Sequence, residues 1–167
     1  MLIGLSGAGK SSVAPHVARL LGSSWCDLDE RIVVAARQSV AEIFAAEGEA
    51  RFRELERIAM EAALAEAPQV IAAGGGWAAE PGNLAAISGR ALIIYLSVSP
   101  AEAARRLADS VDRPLLTSGV PEEQLARLLA AREAWYRLAD LEIAAGEASP
   151  EAVAASIATA ARQDGGW

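Results

Sequence analysis

The sequence predicts an α/β fold, a parallel sheet with helices on both faces, and three observations carry that expectation. Short apolar segments alternate with stretches of helical spacing along the chain, the pattern of repeated strand–helix–strand units. Ala91–Ser97 is a nearly continuous apolar run, as expected of a strand covered on both faces. Met1–Leu5 runs directly into a glycine-rich loop that opens a helix, so the loop belongs at the carboxyl end of a strand.

Taken in order, Met1–Leu5 is the first strand and Ser6–Ser11 the loop. Ser12–Leu21 repeats Val13, Val17, Leu20 and Leu21 at helical spacing and stops at Gly22. Ser24–Leu28 is a short second strand. Helices follow over Glu30–Ala36, Val40–Glu47 and Glu49–Ala67; Ser39 is placed to cap the middle one, with Glu42 completing a capping box. Gln69–Ala73 is the third strand, stopped by Gly74–Gly76. Pro81 and Gly82 open a helix to about Ser88, Ala91–Ser97 is the fourth strand, and a helix after Pro100 reaches about Asp109. Ser110–Pro121 breaks every periodicity and is expected to be a mobile loop. Glu122–Ala139 is a long helix, Leu141–Ala144 the last strand, Pro150–Arg162 the last helix, and Asp164–Trp167 a frayed tail.

The chain has 167 residues, enough for one core and too few for two, so a single domain over 1–163 is expected. At 53% hydrophobic and 22% charged the composition is that of a soluble globular protein, not a disordered one. No apolar run approaches the ~18–20 residues of a membrane span. The N-terminus begins almost on the first strand, with no basic leader or cleavage pattern to suggest secretion. Cys26 is the one cysteine, which rules out an internal disulfide and a zinc cluster and points to a reducing cytoplasm. A net charge of −7 argues against a general nucleic-acid binder and against binding to an anionic membrane. Of the fifteen basic residues only Lys10 is lysine, and it lies inside the glycine-rich loop.

That loop, Gly4-Leu5-Ser6-Gly7-Ala8-Gly9-Lys10-Ser11, fills every fixed position of the phosphate-binding pattern G-x-x-x-x-G-K-[ST]. Glycines let the backbone wrap an anion with successive amides pointing inward, and the following helix adds its positive end. Lys10 can neutralise terminal phosphates and the Ser11 hydroxyl can ligate Mg²⁺. The chain is therefore expected to bind a nucleoside triphosphate.

Further islands bear on the acceptor. Asp27-Leu28-Asp29 falls at the end of the second strand, where residues two apart share a face and two carboxylates can enter one cleft. Arg53 and Glu56 lie three apart on a helix and can pair. Gly74-Gly75-Gly76 lets a ligand approach backbone amides. Arg113-Pro114-Leu115-Leu116 lies in the aperiodic loop, and Tyr136-Arg137 near the end of the long helix. His16 has no partners that would make a triad or metal set, and reads as surface or packing.

In this order and spacing the islands resemble the shikimate kinases, small P-loop kinases of the nucleoside-monophosphate-kinase type. The resemblance runs from Ile3 to about Ala161. It implies a five-stranded parallel sheet in the order 2-3-1-4-5. It also implies ATP-dependent phosphorylation of the shikimate 3-hydroxyl, giving shikimate 3-phosphate and ADP in aromatic amino-acid precursor biosynthesis. Gly7, Ala8, Gly9, Lys10, Ser11 and Ser12 would hold ATP, with Arg106 against the adenine. Mg²⁺ would be held by Ser11 and, through water, by Asp27. Asp29 would bind the ring hydroxyls, Arg53 and Arg137 the carboxylate, and Gly74, Gly75 and Gly76 would finish the pocket. Residues 30–60 would form the acceptor helices, 109–121 a lid carrying Arg113 to the phosphates, and the enzyme would be a monomer.

The chemistry of the acceptor agrees with this assignment. One carboxylate asks for guanidiniums and three hydroxyls ask for an anionic acceptor, and both stand around one phosphate loop. The same charge argument fits gluconate, quinate or an aminated shikimate. A catalytically silent nucleotide-binding regulator is the other alternative, and it would be expected to have lost the lid arginine or the acceptor carboxylate. Two features depart from the family pattern. Trp77 follows the glycine triplet where a small or aliphatic residue is expected, and is read as packing outward. Gly146–Pro150, the expected adenine loop, lacks the polar and basic residues of the family pattern, so base contacts there would come from the backbone.

Overall fold

The computed structural model of the chain describes residues 1–108, 122–164 and 166. Five strands, β1 (Leu2–Ile3), β2 (Ser24–Asp27), β3 (Gln69–Ala72), β4 (Ile94–Ser97) and β5 (Leu141–Ala144), form one sheet in the order β2-β3-β1-β4-β5. Every pairing is parallel, with Leu2 opposite Ala72 and Ile94, and Cys26 opposite Ile71. This is the order the resemblance implies.

The strand sequences explain why both faces are covered. Leu2, Val70, Ala72, Ile94 and Leu96 point to one face, into a core shared with α1 (Lys10–Leu21), α5 (Pro100–Ala108) and α7 (Pro150–Asp164). Their neighbours Ile3, Ile71, Ala73, Ile93 and Tyr95 point to the other, against Met60 of α3 (Val40–Ala65) and Leu84 of α4 (Asn83–Ile87). The period of two thus feeds two cores from one set of apolar runs. α6 (Glu122–Tyr136) spans both, with Leu125 in the first and Tyr136 in the second. A third, smaller core of Ile32, Ile43 and Phe52 fastens α2 (Leu28–Ala36) to α3, away from the sheet.

Of the boundaries that differ from the sequence reading, two bear on the site. β2 ends at Asp27, because the Asp27 side chain accepts from the amides of Asp29 (2.9 Å) and Glu30 (3.4 Å) and starts α2 there. Asp27 and Asp29 are therefore a helix cap and a first-turn residue, not alternate positions of a strand. α6 stops at Tyr136, three residues short of Ala139, so Arg137 lies beyond its end. The break expected at Gly48 is present as a kink within α3 (φ 80°, ψ 176°), and the Ser39–Glu42 capping box is formed.

The connection leaving β1 runs to β2 and the one leaving β3 runs to β4. The two connections thus leave the carboxyl ends of neighbouring strands in opposite directions, which opens a crevice there.

Candidate active site

The crevice is a cleft of about 730 Å³. Its floor is the loop from Ser6 to Ser12. Gly7 (φ 83°) and Gly9 (φ 89°) hold left-handed backbone, and a Cβ on Gly7 would come within 2.7 Å of the Ala103 carbonyl of α5. Only glycine lets the loop close there. Lys10 is the first residue of α1 and only 8% exposed; its Nζ donates to the carbonyls of Gly4 (2.8 Å) and Leu5 (3.0 Å). The ammonium is thus folded across the loop's mouth, beside the unsatisfied first amides of α1. Ser11 Oγ donates to Asp27 Oδ2 at 2.5 Å, bringing a hydroxyl and a buried carboxylate together at the end of the loop.

At one end of the cleft stand Arg106, Leu107 and Gly146–Pro150. Arg106 Nη2 donates to the carbonyls of Ala145 (2.5 Å) and Gly146, Nη1 reaches Ala8 O at 3.4 Å, and Nε donates to Glu102 at 2.7 Å. The guanidinium therefore braces the phosphate loop against the 146–150 loop.

At the other end stand Asp29, Gly74 and Gly75. A Cβ on Gly74 would lie 2.8 Å from Glu56 Oε1 and 3.0 Å from Asp29 Oδ1, so the two carboxylates flank this glycine. A Cβ on Gly76 would lie 2.8 Å from Arg53 Nη2, which makes Gly76 the place where a side chain would collide with the guanidinium. Arg53 donates to Glu56 Oε2 at 2.6 Å. Burial pushes the Glu56 carboxyl above the usual carboxylate range, with the Arg53 hydrogen bond opposing that rise and the Asp29 charge adding to it. From α6, Tyr136 Oη donates to the Gly75 carbonyl at 2.5 Å and Arg132 Nη1 reaches the same oxygen at 3.3 Å. The floor of the cleft thus holds the glycine-rich loop and a lysine, and one end meets a glycine turn with two carboxylates and two guanidiniums beside it.

The shikimate kinase family model matches residues 6–162. A shikimate kinase of Geobacter metallireducens is 38% identical over 157 residues, covering 94% of this chain and 88% of the relative. One from Mycobacterium tuberculosis is 37% identical over 158 residues, covering 94% and 89%. The structure of the Acinetobacter baumannii shikimate kinase in complex with shikimate superposes with a TM-score of 0.88 at 30% identity, covering 98% of this chain and 92% of that one.

The chain belongs to the shikimate kinase family. Phosphoryl transfer in the shikimate pathway goes with that membership. Of the residues that the likeness assigned, the structure gathers Gly7–Ser12, Asp27, Asp29, Gly74, Gly75 and Arg106 around the cleft, with Arg53 and Gly76 beside the end that holds the glycine turn. It does not bring Arg137 there. Arg137 is 61% exposed, with its guanidinium on Glu133 (2.6 Å) and near Glu142 (3.9 Å). The arginine of α6 that meets the glycine turn is Arg132. Its signal was in the sequence: Arg132 precedes Tyr136 by four residues and shares its helix face, whereas Arg137 follows it. Trp77 is buried in the core under the sheet and does not narrow the cleft. Arg113 and the expected lid, 109–121, lie outside the described residues.

Proposed function

We propose that the chain transfers the γ-phosphoryl group of ATP to the 3-hydroxyl of shikimate, with Arg53 and Arg132 holding the carboxylate and Asp29 the ring hydroxyls. The observation that carries this reading is the glycine turn Gly74–Gly76, with Asp29 and Glu56 beside Gly74, Arg132 on the Gly75 carbonyl and Arg53 beside Gly76. An acid bearing hydroxyls meets guanidiniums at its carboxylate and an acceptor at its hydroxyls, within the same cleft as the phosphate loop.

In the transfer the acceptor oxygen bonds to the γ-phosphorus as the bond to the β-phosphate oxygen breaks, and ADP leaves with that electron pair. An aspartate of ordinary pKa (~4) is a poor base for an alcohol. Because the transition state is loose, Asp29 acts mainly by aiming the hydroxyl and takes its proton late. Lys10, freed from the Gly4 and Leu5 carbonyls, neutralises charge on the transferring group, and Arg113 joins it by family likeness. The Ser11 hydroxyl and the Asp27 carboxylate are hard-oxygen groups side by side that would hold Mg²⁺, Asp27 through a water. Bound there with the nucleotide, Mg²⁺ supplies charge neutralisation to the phosphates. Arg106 would lie against the base while bracing its loop.

Family likeness also supports a monomer working in the cytoplasm. Among the described residues no helix is long and apolar enough to cross a membrane.

Release of ADP across a panel of shikimate, quinate, aminated shikimate and gluconate, with an ATP-only control, tests the reading. Shikimate-dependent release is expected. Good turnover of gluconate or quinate with none of shikimate would overturn it, and release without any acceptor would mark an ATPase.

A further inference from the structure

Arg53, which this reading gives the acceptor carboxylate, is already surrounded by acidic side chains. Nη1 donates to Glu56 Oε2 at 2.6 Å and Nη2 to Glu49 Oε1 at 2.9 Å. Glu80 Oε1 stands 3.1 Å from Nε, yet that buried N–H makes no hydrogen bond among the described residues, so Glu80 sits beside its direction and not along it. Each guanidinium nitrogen thus faces a different carboxylate. Of the five N–H groups of a guanidinium, a carboxylate ligand that pairs side-on takes those of Nε and Nη2, so an acid bound to that edge of Arg53 displaces the carboxylates that stand there.

The three carboxylates are not equally displaceable. Glu56 is 1% exposed and cannot turn to water, whereas Glu49 and Glu80 are 65% and 37% exposed. Those two cover Nη2 and Nε, the side-on edge of the guanidinium. Glu49 shares α3 with Arg53, one turn away. Glu80 comes from another element. Its amide donates to Trp77 O at 3.3 Å, Asn83 Nδ2 holds the same carbonyl at 2.9 Å, and Trp77 is buried. Its backbone is therefore fixed beside the glycine turn, and only its side chain can yield.

The geometry points to Glu80 as an internal competitor for the acceptor carboxylate: it stands at the Nε edge of Arg53 and turns aside when an acid pairs side-on with that edge. This rests on the reading that Arg53 grips that carboxylate. Three carboxylates around one guanidinium leave surplus negative charge, which also repels an incoming anion. Glu80 thereby lowers the affinity for the acceptor without touching the reacting oxygen.

Glu80→Gln keeps the shape and removes the charge. Its KM for shikimate should fall about three- to tenfold, with kcat and the KM for ATP changed less than twofold. The neutral carboxamide of shikimate should show the same KM with both proteins, because it brings no charge to Arg53. Glu54→Gln removes an equal charge from the outer face of α3, where Glu54 pairs with Arg51 at 2.7 Å, and should leave the shikimate KM unchanged. Glu80→Ala repeats the measurement without a side chain to rearrange, and thermal melts establish that each variant is folded.

If the wild type turns over shikimate and Arg53→Ala raises its KM, an unchanged or raised KM in both Glu80 variants overturns the proposal. So does an equal fall in Glu54→Gln, which would be a long-range charge effect. Absent shikimate turnover, or an Arg53→Ala variant with unaltered KM, overturns instead the acceptor assignment beneath it.

Discussion

Ser11 Oγ donates to Asp27 Oδ2 at 2.5 Å while Oδ1 of the same carboxylate accepts the amide of Asp29 at 2.9 Å. One buried side chain thus ties the phosphate-loop helix to the first turn of α2, which carries Asp29. The helix-capping role of Asp27 and the metal-binding role proposed for it can be separated by substitution. Asparagine caps a helix as well as aspartate but brings no charge, whereas alanine loses the cap at a cost of about 1 kcal/mol. Asp27→Asn should therefore keep nearly the wild-type urea midpoint while needing several times more Mg²⁺ for half-maximal turnover. Asp27→Ala should lose both. Urea unfolding and Mg²⁺ titration of the rate read the two effects independently.

Arg132 and Arg137 give a direct comparison on neighbouring positions. Arg132 faces the Gly75 carbonyl, and Arg137 stands in solvent on Glu133. Arg132→Ala should raise the KM for shikimate about tenfold or more, because a charge-assisted contact in a partly buried place is lost. Arg137→Ala should leave it within twofold, as expected for an exposed ion pair. Both should keep the wild-type KM for ATP in steady-state assays.

The contrast between these two arginines shows what was legible in the sequence. The phosphate-binding pattern is legible because its glycines, Lys10 and Ser11 lie in one contiguous segment. The strands could be read because Leu2/Ile3 and Ile94/Tyr95 alternate between two apolar faces. The sequence reading names Arg137 and passes over Arg132, because the facing of a helical residue depends on where the helix ends, and α6 ends at Tyr136. The Asp27–Asp29 pair was read as strand although a short acidic side chain followed by free amides equally makes a cap. Glu80 could not be found at all: its contact with Arg53 spans 27 residues and joins a turn to a helix, with no periodicity to mark it.

The acid stability of the acceptor helices follows from Arg31 and Glu66. Arg31 of α2 donates through Nη1 and Nη2 to both oxygens of Glu66 (2.6 and 2.7 Å), the residue that ends α3. The Arg31 hydrogen bonds, with Gln69 adding to them, hold the Glu66 carboxyl at about 2, below its ordinary 4.5. A carboxyl depressed in the folded state stabilises the fold above its unfolded value and loses that contribution as pH falls through the folded one. Glu66→Gln should accordingly be less stable than wild type at neutral pH, and the gap should narrow between about pH 4.5 and pH 2. The pair is exposed, so the gap is small and shrinks in salt. Chemical unfolding of both proteins across that range, at low and high salt, measures it.

Tyr136 decides how freely Arg132 can leave the glycine turn. Both donate to the Gly75 carbonyl, Tyr136 at 2.5 Å and Arg132 at 3.3 Å. Tyr136 is fully buried and stacked on Tyr95, ring centroids 5.2 Å apart, so its hydroxyl stays where it is. With that bond in place, Arg132 can turn to an acceptor carboxylate without orphaning the carbonyl. In Tyr136→Phe the carbonyl keeps only Arg132, and drawing Arg132 away leaves a polar atom without a donor, at a cost of about 1–2 kcal/mol. The KM for shikimate should then rise several-fold to about twentyfold while the KM for ATP holds. The coupling can be isolated by a double-mutant cycle. Once Arg132 is alanine there is no competing use for it, so adding Tyr136→Phe should raise the shikimate KM little further. Equal effects of Tyr136→Phe in the wild-type and Arg132→Ala backgrounds would show that the tyrosine only holds the turn in place and does not release the arginine.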